Sequence, residues 1–167
     1  PSVVSVAWLA AALSAPRPGL PLRVVDVSWY HAPAQRDCHA EFLAEHIPTA
    51  VFYNLATGNE PLGPEISSPD EAGSDASSSS ASASPALSYM LPSAESFSRQ
   101  MSALGIGLDT TVVVYDTAGI LSSARLWWML RSYGHERVAV LDGGLPQWQL
   151  EGHPVASGIP AKARPPG

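Results

Sequence analysis

An apolar run without alternation, Thr111–Tyr115 (TVVVY), limits the folds open to this chain more than any other feature. A strand with one wet face alternates polar and apolar residues, whereas a strand apolar on both sides needs cover on both sides. Such strands belong inside parallel sheets flanked by helices. The neighbouring sequence supplies the helices. Ser93–Leu104 places Phe97, Met101 and Leu104 at i, i+4 and i+7, with Ser93 suited to the N-cap and Gly105 to the stop. Ser122–Tyr133 carries Leu126, Trp127, Trp128, Met129 and Leu130 consecutively and ends at Gly134. A helix apolar nearly all round is a buried one.

The rest of the chain repeats the theme. Leu22–Trp29, Ala50–Leu55 and Val138–Leu141 read as strands, and Asp37–Glu45 reads as a helix stopped before Pro48. Val3–Leu13 reads as a short helix, and "DGG" as a turn before a last short helix with Pro146 in its first turn. Strands separated by helices imply an α/β fold with a mostly parallel central sheet and helices on both faces. At 167 residues the chain has the size of one domain, read as 1–167. Ser67–Pro85 breaks the pattern with nine serines and no aromatic or branched aliphatic residue. Such a stretch buries too little apolar surface to offset its ordering entropy, so a disordered surface insertion is expected at about 58–86. A C-terminal linker is expected at about 156–167.

Charge narrows the function classes. The formal net charge is −6, Lys162 is the only lysine, and the arginines are scattered. Nucleic acid and anionic membranes are therefore not expected partners. The most apolar stretch, Val3–Leu13, is about half the ~20 residues of a membrane span. Cys38 is the sole cysteine, so no internal disulfide forms. The chain begins at Pro1 without an initiator Met and is read as a processed or excised piece, which leaves mitochondrial and cytoplasmic placements both open.

In open parallel sheets, ligands bind beyond the carboxyl ends of the strands. That rule selects the loop opened by Asp116. An aspartate after a buried strand can be a phosphoryl-accepting nucleophile, but that chemistry needs a second acid two residues on and a lysine. Ala118 stands at the second position and Lys162 is remote in sequence. The competing reading has Asp116 brace its loop by accepting N–H bonds near a helix N-terminus. Cys38, early in a helix beside His39 and near Arg36, is the only candidate thiol, and an ordinary partly buried residue is the favoured reading. His31, Cys38 and His39 match no zinc spacing, so no metal is expected. No cofactor is expected either. Asp26 and Asp142 are expected to bind turn N–H groups, Arg125 to pair with one of these carboxylates, and Ser122 or Ser123 to cap the helix. Trp127, Trp128 and Trp148 are read as core or interface, with the adjacent pair facing different surroundings.

Taken in order, "VSVAWLAAAL", "VVDVSWY", "FLAEHIPTAVFYNL", "MLPSAESFSRQMSALGIG", "TVVVYD", "SARLWWMLRSYGHERVAVLDGGLPQW" and "EGHPV" resemble a rhodanese domain, in particular the N-terminal half of two-domain thiosulfate and 3-mercaptopyruvate sulfurtransferases. The resemblance covers nearly the whole chain outside the serine-rich insertion and implies a rhodanese-like fold. It also implies transfer of sulfane sulfur through a cysteine persulfide, on a cradle-shaped loop after a central strand. Asp116 stands at that nucleophile position, so the loop of Asp116, Thr117, Gly119, Ser122, Ser123 and Arg125 is expected to be degenerate and the chain alone inactive. The implied partner is a C-terminal rhodanese domain of the same polypeptide, with the sulfur donor and a thiol or cyanide acceptor reached through it. The alternative is a stand-alone inactive module for protein binding or regulation. This sequence departs from the family pattern in three places. Thr49 replaces the glycine of "HIPGA". Ala56 and Thr57 stand where an acidic residue is common. Tyr89 replaces a histidine before "MLP" that faces the partner's active site. The domain's contribution there is either structural or made by a Tyr89 hydrogen bond.

Overall fold

The computed structural model describes residues 1–16, 18–30, 36–56 and 91–160. The serine-rich stretch, Tyr89, His31 and the last residues of the expected linker lie outside them. Ten elements follow in chain order: β1 (Val3–Val4), α1 (Val6–Ser14), β2 (Leu22–Asp26), α2 (Cys38–Ala44), β3 (Val51–Phe52), α3 (Ala94–Ala103), β4 (Thr111–Tyr115), α4 (Ser123–Ser132), β5 (Val138–Leu141) and α5 (Gly144–Leu150). The strands form one sheet in the order β1-β5-β4-β2-β3, and every pairing is parallel. The α/β fold with helices on both faces is as the sequence implies.

Successive residues of a strand point to opposite faces, and β4 shows the consequence. Val112 and Val114 join Phe97, Met101, Leu126, Met129 and Leu130 beneath α3 and α4. Val113 and Tyr115 join Val6, Leu9, Phe42, Leu145 and Trp148 beneath α1, α2 and α5. Strand β5 divides in the same way, Val138 and Val140 to one side, Ala139 and Leu141 to the other. Burying one such side chain contributes about 1.5–3 kcal/mol, so each face is held independently.

The N-terminus differs from the expectation of a single short helix. Val3 and Val4 form a strand against β5, in register with Val140 and Leu141, before Ser5 caps α1 by accepting the Trp8 N–H. The two residues are too few to show a period, and their partner lies far along the chain.

Thr49 has φ 70°, the only positive φ of a non-glycine among the described residues. It follows Pro48 in a tight turn closed by Ala50 N–H to the Ile47 carbonyl at 3.0 Å. Proline second and a positive φ third is the pattern of a type II turn, which favours glycine at the third position. A β-branched residue there carries ~1–2 kcal/mol of strain, of which glycine returns part through its greater unfolded entropy. Thr49→Gly is therefore expected to raise the stability by about 1 kcal/mol, seen as a higher urea midpoint with an unchanged m-value.

Candidate functional site

Strands β2 and β4 are neighbours, yet their following helices go to opposite faces. Phe42 of α2 packs on the α1/α5 side, whereas Leu126 of α4 packs on the α3 side. The diverging chains open a crevice beyond the carboxyl ends of these two strands, where ligands of parallel sheets bind. Asp26 ends β2 and is in register with Tyr115, the last residue of β4. Asp116 comes next, so two carboxylates meet at the crevice floor, each 1% exposed.

The Asp116 side chain is fully engaged. Its Oδ1 accepts the Ala118 N–H at 3.0 Å, and its Oδ2 accepts the N–H groups of Leu121 and Ser123 at 2.8 Å each. Burial works to raise the carboxyl, but the donors from Ser123, Leu121 and Ala118 outweigh it and hold Asp116 below the ordinary carboxylate range. Asp26 moves the other way. Burial pushes it up, the Asp116 charge adds to that, and its Oδ1 accepts the Ser28 N–H at 2.8 Å. Asp116 is thus the ionised brace of its loop.

The sequence reading gave the helix cap to Ser122 or Ser123. Ser122 does occupy the N-cap position of α4, but its backbone is helical and its side chain makes no capping bond. Asp116 caps instead, reaching Ser123 N–H from seven residues back. The main chain is fixed as well, because the Asp116 carbonyl accepts the Leu145 N–H at 3.1 Å from the start of α5. That approach needs glycine at 144. With φ +56°, a Cβ at Gly144 would lie 2.2 Å from the Asp116 carbonyl oxygen.

A second group, absent from the sequence reading, closes one side of the crevice. Thr117 N–H bonds Ser28 Oγ at 3.1 Å, and the Thr117 hydroxyl meets that of Tyr30. Tyr30 donates to Glu41 Oε2 at 2.7 Å. Arg36 holds the same carboxylate through Nε at 2.7 Å and Nη2 at 2.9 Å, with its guanidinium carbon 3.9 Å from the Tyr30 ring centroid. The Arg36 bond comes first among the causes that keep Glu41 low. Loop 117 and the start of α2 are thereby tied together. The signal in sequence was only "SWY" followed by "RD", and nothing local connected either to Thr117.

The other candidates fall as follows. Cys38 is the first residue of α2, where Asp37 caps by accepting the His39 and Ala40 N–H groups. Burial pushes its thiol up, and the Asp37 charge adds to that. A thiol shifted upward is a poor nucleophile at neutral pH. Arg125 was expected beside Asp26 or Asp142. Val24 packs in the α1/α2/α5 cluster, so by strand alternation Asp26, two residues on, falls on that side, away from α4, and Asp142 is exposed with its N–H on the Val4 carbonyl. The Arg125 charge is felt at Tyr53, whose phenol burial raises to about 12 with Tyr133 adding and Arg125 opposing. Trp127 packs against the α3/α4 cluster, Trp128 is 47% exposed, and Trp148 is core. Ile120 and Leu121, inside the loop, are also exposed, so the crevice has an apolar rim. Among the described residues no three His, Cys, Asp or Glu side chains group as a metal site.

Comparison with known proteins agrees with this geometry. The chain is 39% identical to human 3-mercaptopyruvate sulfurtransferase over 159 residues, covering 94% of this chain and 46% of that protein. It is 42% identical over 155 residues to thiosulfate/3-mercaptopyruvate sulfurtransferase 1, mitochondrial, of Arabidopsis thaliana, covering 93% of this chain and 34% of that one. The chain thus spans half or less of the length of these curated relatives. Among solved structures, the 3-mercaptopyruvate sulfotransferase SseA of Escherichia coli superposes with a TM-score of 0.69 at 28% identity, covering 98% of this chain and 55% of that one. The rhodanese-like domain model matches residues 5–151, which takes in all five strands but β1 and every helix, and with it the Asp116 loop. By fold, by sequence and by the strand–loop–helix at its switch point, the chain belongs to the rhodanese-like domain family and is homologous to thiosulfate and 3-mercaptopyruvate sulfurtransferases.

Proposed function

We propose that this chain is the nucleophile-free N-terminal rhodanese-like domain of a sulfurtransferase that moves sulfane sulfur from thiosulfate or 3-mercaptopyruvate to a thiophilic acceptor. Its role is to pack on a C-terminal catalytic domain and wall one side of that domain's active site. The observation that carries this reading is the state of Asp116. The residue opens the loop at the switch point, where a sulfur-carrying thiolate would stand. A carboxylate there holds no transferable sulfur, and its oxygens are already bonded to three N–H groups of the loop. The one thiol, Cys38, is pushed up by burial and lies at the start of α2. The match to only part of longer sulfurtransferases and the exposed Ile120, Leu121 and Trp128 beside the loop support a partner domain.

A thiosulfate-to-cyanide assay tests the reading. Thiocyanate is expected at the enzyme-free rate, with Cys38→Ser indistinguishable from the parent. Turnover well above that rate, abolished by Cys38→Ser, would refute it.

A further inference from the structure

Asp26 is buried at the end of β2, where two hydroxyl side chains face its carboxyl from different directions. Ser28 gives its N–H to Asp26 Oδ1 at 2.8 Å and brings its hydroxyl to the same group. Tyr115, in register with Asp26 across the sheet, turns its phenol toward it. Each hydroxyl also accepts a backbone N–H from a separate part of the chain. Ser28 Oγ takes the Thr117 N–H at 3.1 Å, and Tyr115 Oη takes the Ile47 N–H at 3.2 Å. Ile47 follows His46, whose N–H and carbonyl pair with the carbonyl and N–H of Ala156 at 2.9 and 2.8 Å. Asp26 thus stands at the centre of a relay running from the Ala156 segment to the Asp116 loop.

We propose that Asp26 is a proton-dependent joint between these two segments: ionised, it draws both hydroxyl protons to itself and tightens their hold on Ile47 and Thr117, and protonated, it relaxes that hold. A hydroxyl that donates to a charged acceptor is itself a stronger acceptor, because bonds in a chain polarise one another. Protonation removes the charge and with it that polarisation. The titratable groups facing Asp26 are Tyr115 and Asp116 from β4 and its loop, and Cys38 from the start of α2. None of them is a cation. Burial pushes the Asp26 carboxyl up, the Ser28 and Tyr115 bonds oppose this, and the Asp116 charge adds to the rise. Asp116 lies below its ordinary range, while burial and nearby carboxylates hold Cys38 and Tyr115 above theirs. Of the four groups, Asp26 therefore changes charge nearest neutrality. Its folded value lies above its unfolded one, so its contribution to stability is fully present below about pH 4 and is lost as pH rises through the folded value. The joint tightens over the same interval in which this contribution falls, an opposition that a merely structural carboxyl does not produce.

Amide proton shifts of the whole chain, followed by NMR from about pH 4 to 9, decide the matter. The Ile47 and Thr117 amide protons are expected to move downfield together as pH rises, with one shared midpoint. Asp26→Asn should flatten both curves. Tyr115→Phe should flatten the Ile47 curve alone, and Ser28→Ala the Thr117 curve alone, since each removes one arm of the relay. A charge felt only through space would leave both titrations in either variant. If one arm variant does not fold, the other makes the same division. If neither folds, loss of both titrations in Asp26→Asn supports the joint. Absence of a shared midpoint in the parent overturns it whatever the variants do. Titration of both amides surviving in Asp26→Asn or in a folded arm variant overturns it as well. The joint does not rest on the absence of a nucleophile: thiocyanate turnover by the parent would sink that reading and leave these titrations as they stand.

Discussion

Replacing Gly144 by alanine is expected to lower the stability by about 4 kcal/mol and the thermal midpoint by roughly 10 °C. Two causes add. The position has φ +56°, which costs an alanine ~1–2 kcal/mol. The new Cβ would also stand 2.2 Å from the Asp116 carbonyl oxygen and 3.3 Å from that of Gly119. Both obstacles are backbone atoms, so no side chain can swing aside. Relief requires α5 to move away from the loop, which breaks the Leu145 N–H bond to Asp116. Amide exchange separates this mechanism from general strain. Leu145 N–H should lose protection first, while the Val112–Val114 amides of β4 fall only with global stability. Unchanged protection at Leu145 would mean that the close approach is not what the glycine serves.

Asp116→Ala is expected to cost about 3–5 kcal/mol at neutral pH, because it strands three loop N–H groups at once. The loss should depend on pH in a definite direction. The folded carboxyl lies below its ordinary value, so its contribution is fully present above the unfolded carboxylate range of about 4. It disappears as pH falls through the lowered folded value. The stability gap between parent and variant should therefore be constant from about pH 5 to 8 and narrow in acid below about 4. Asp26, raised chiefly by burial, acts with the opposite sign in both proteins; its burial share cancels in the difference, and the smaller share added by the Asp116 charge, lost in the variant, trims the gap where Asp26 is ionised. Urea unfolding at several pH values reads the gap directly, and a gap that widened in acid would contradict the assignment of Asp116 as the ionised brace.

Much of the fold was legible because its signals are local. Strands Thr111–Tyr115 and Val138–Leu141 have the bounds expected from their apolar runs, and α3 and α4 lie within one residue of the expected spans, their outermost residues serving as caps. Periodicity and β-branching act over a few residues, so a reader of the sequence sees them. Strand β1 escaped because a two-residue strand exists only through its partner 137 positions on, Val3 beside Val140. The site was half legible. The loop after β4 could be singled out, and Asp116 could be suspected of bracing it. Arg125 and Asp26 were matched without sight of the sheet: residues of one strand alternate between faces, and Asp26 follows Val24 onto the side away from α4.

The sequence by itself determined the class of the protein. An uninterrupted apolar strand demands cover on both faces, the intervening segments supply helices, and a parallel α/β sheet follows from the need to bury both sides. It also determined that no cysteine opens the loop after β4. Only the tertiary structure decided what stands there instead. Strand order brings β2 against β4 and sends their helices apart, so Asp26 and Asp116 share one crevice. Thr117 meets the Tyr30 hydroxyl across 87 positions of chain, and Leu145 reaches Asp116 across 29. Hydrogen bonds act over about 3 Å whatever the separation in sequence. Which donors reach a carboxylate is therefore fixed by the packing of the sheet, and that packing makes Asp116 a brace.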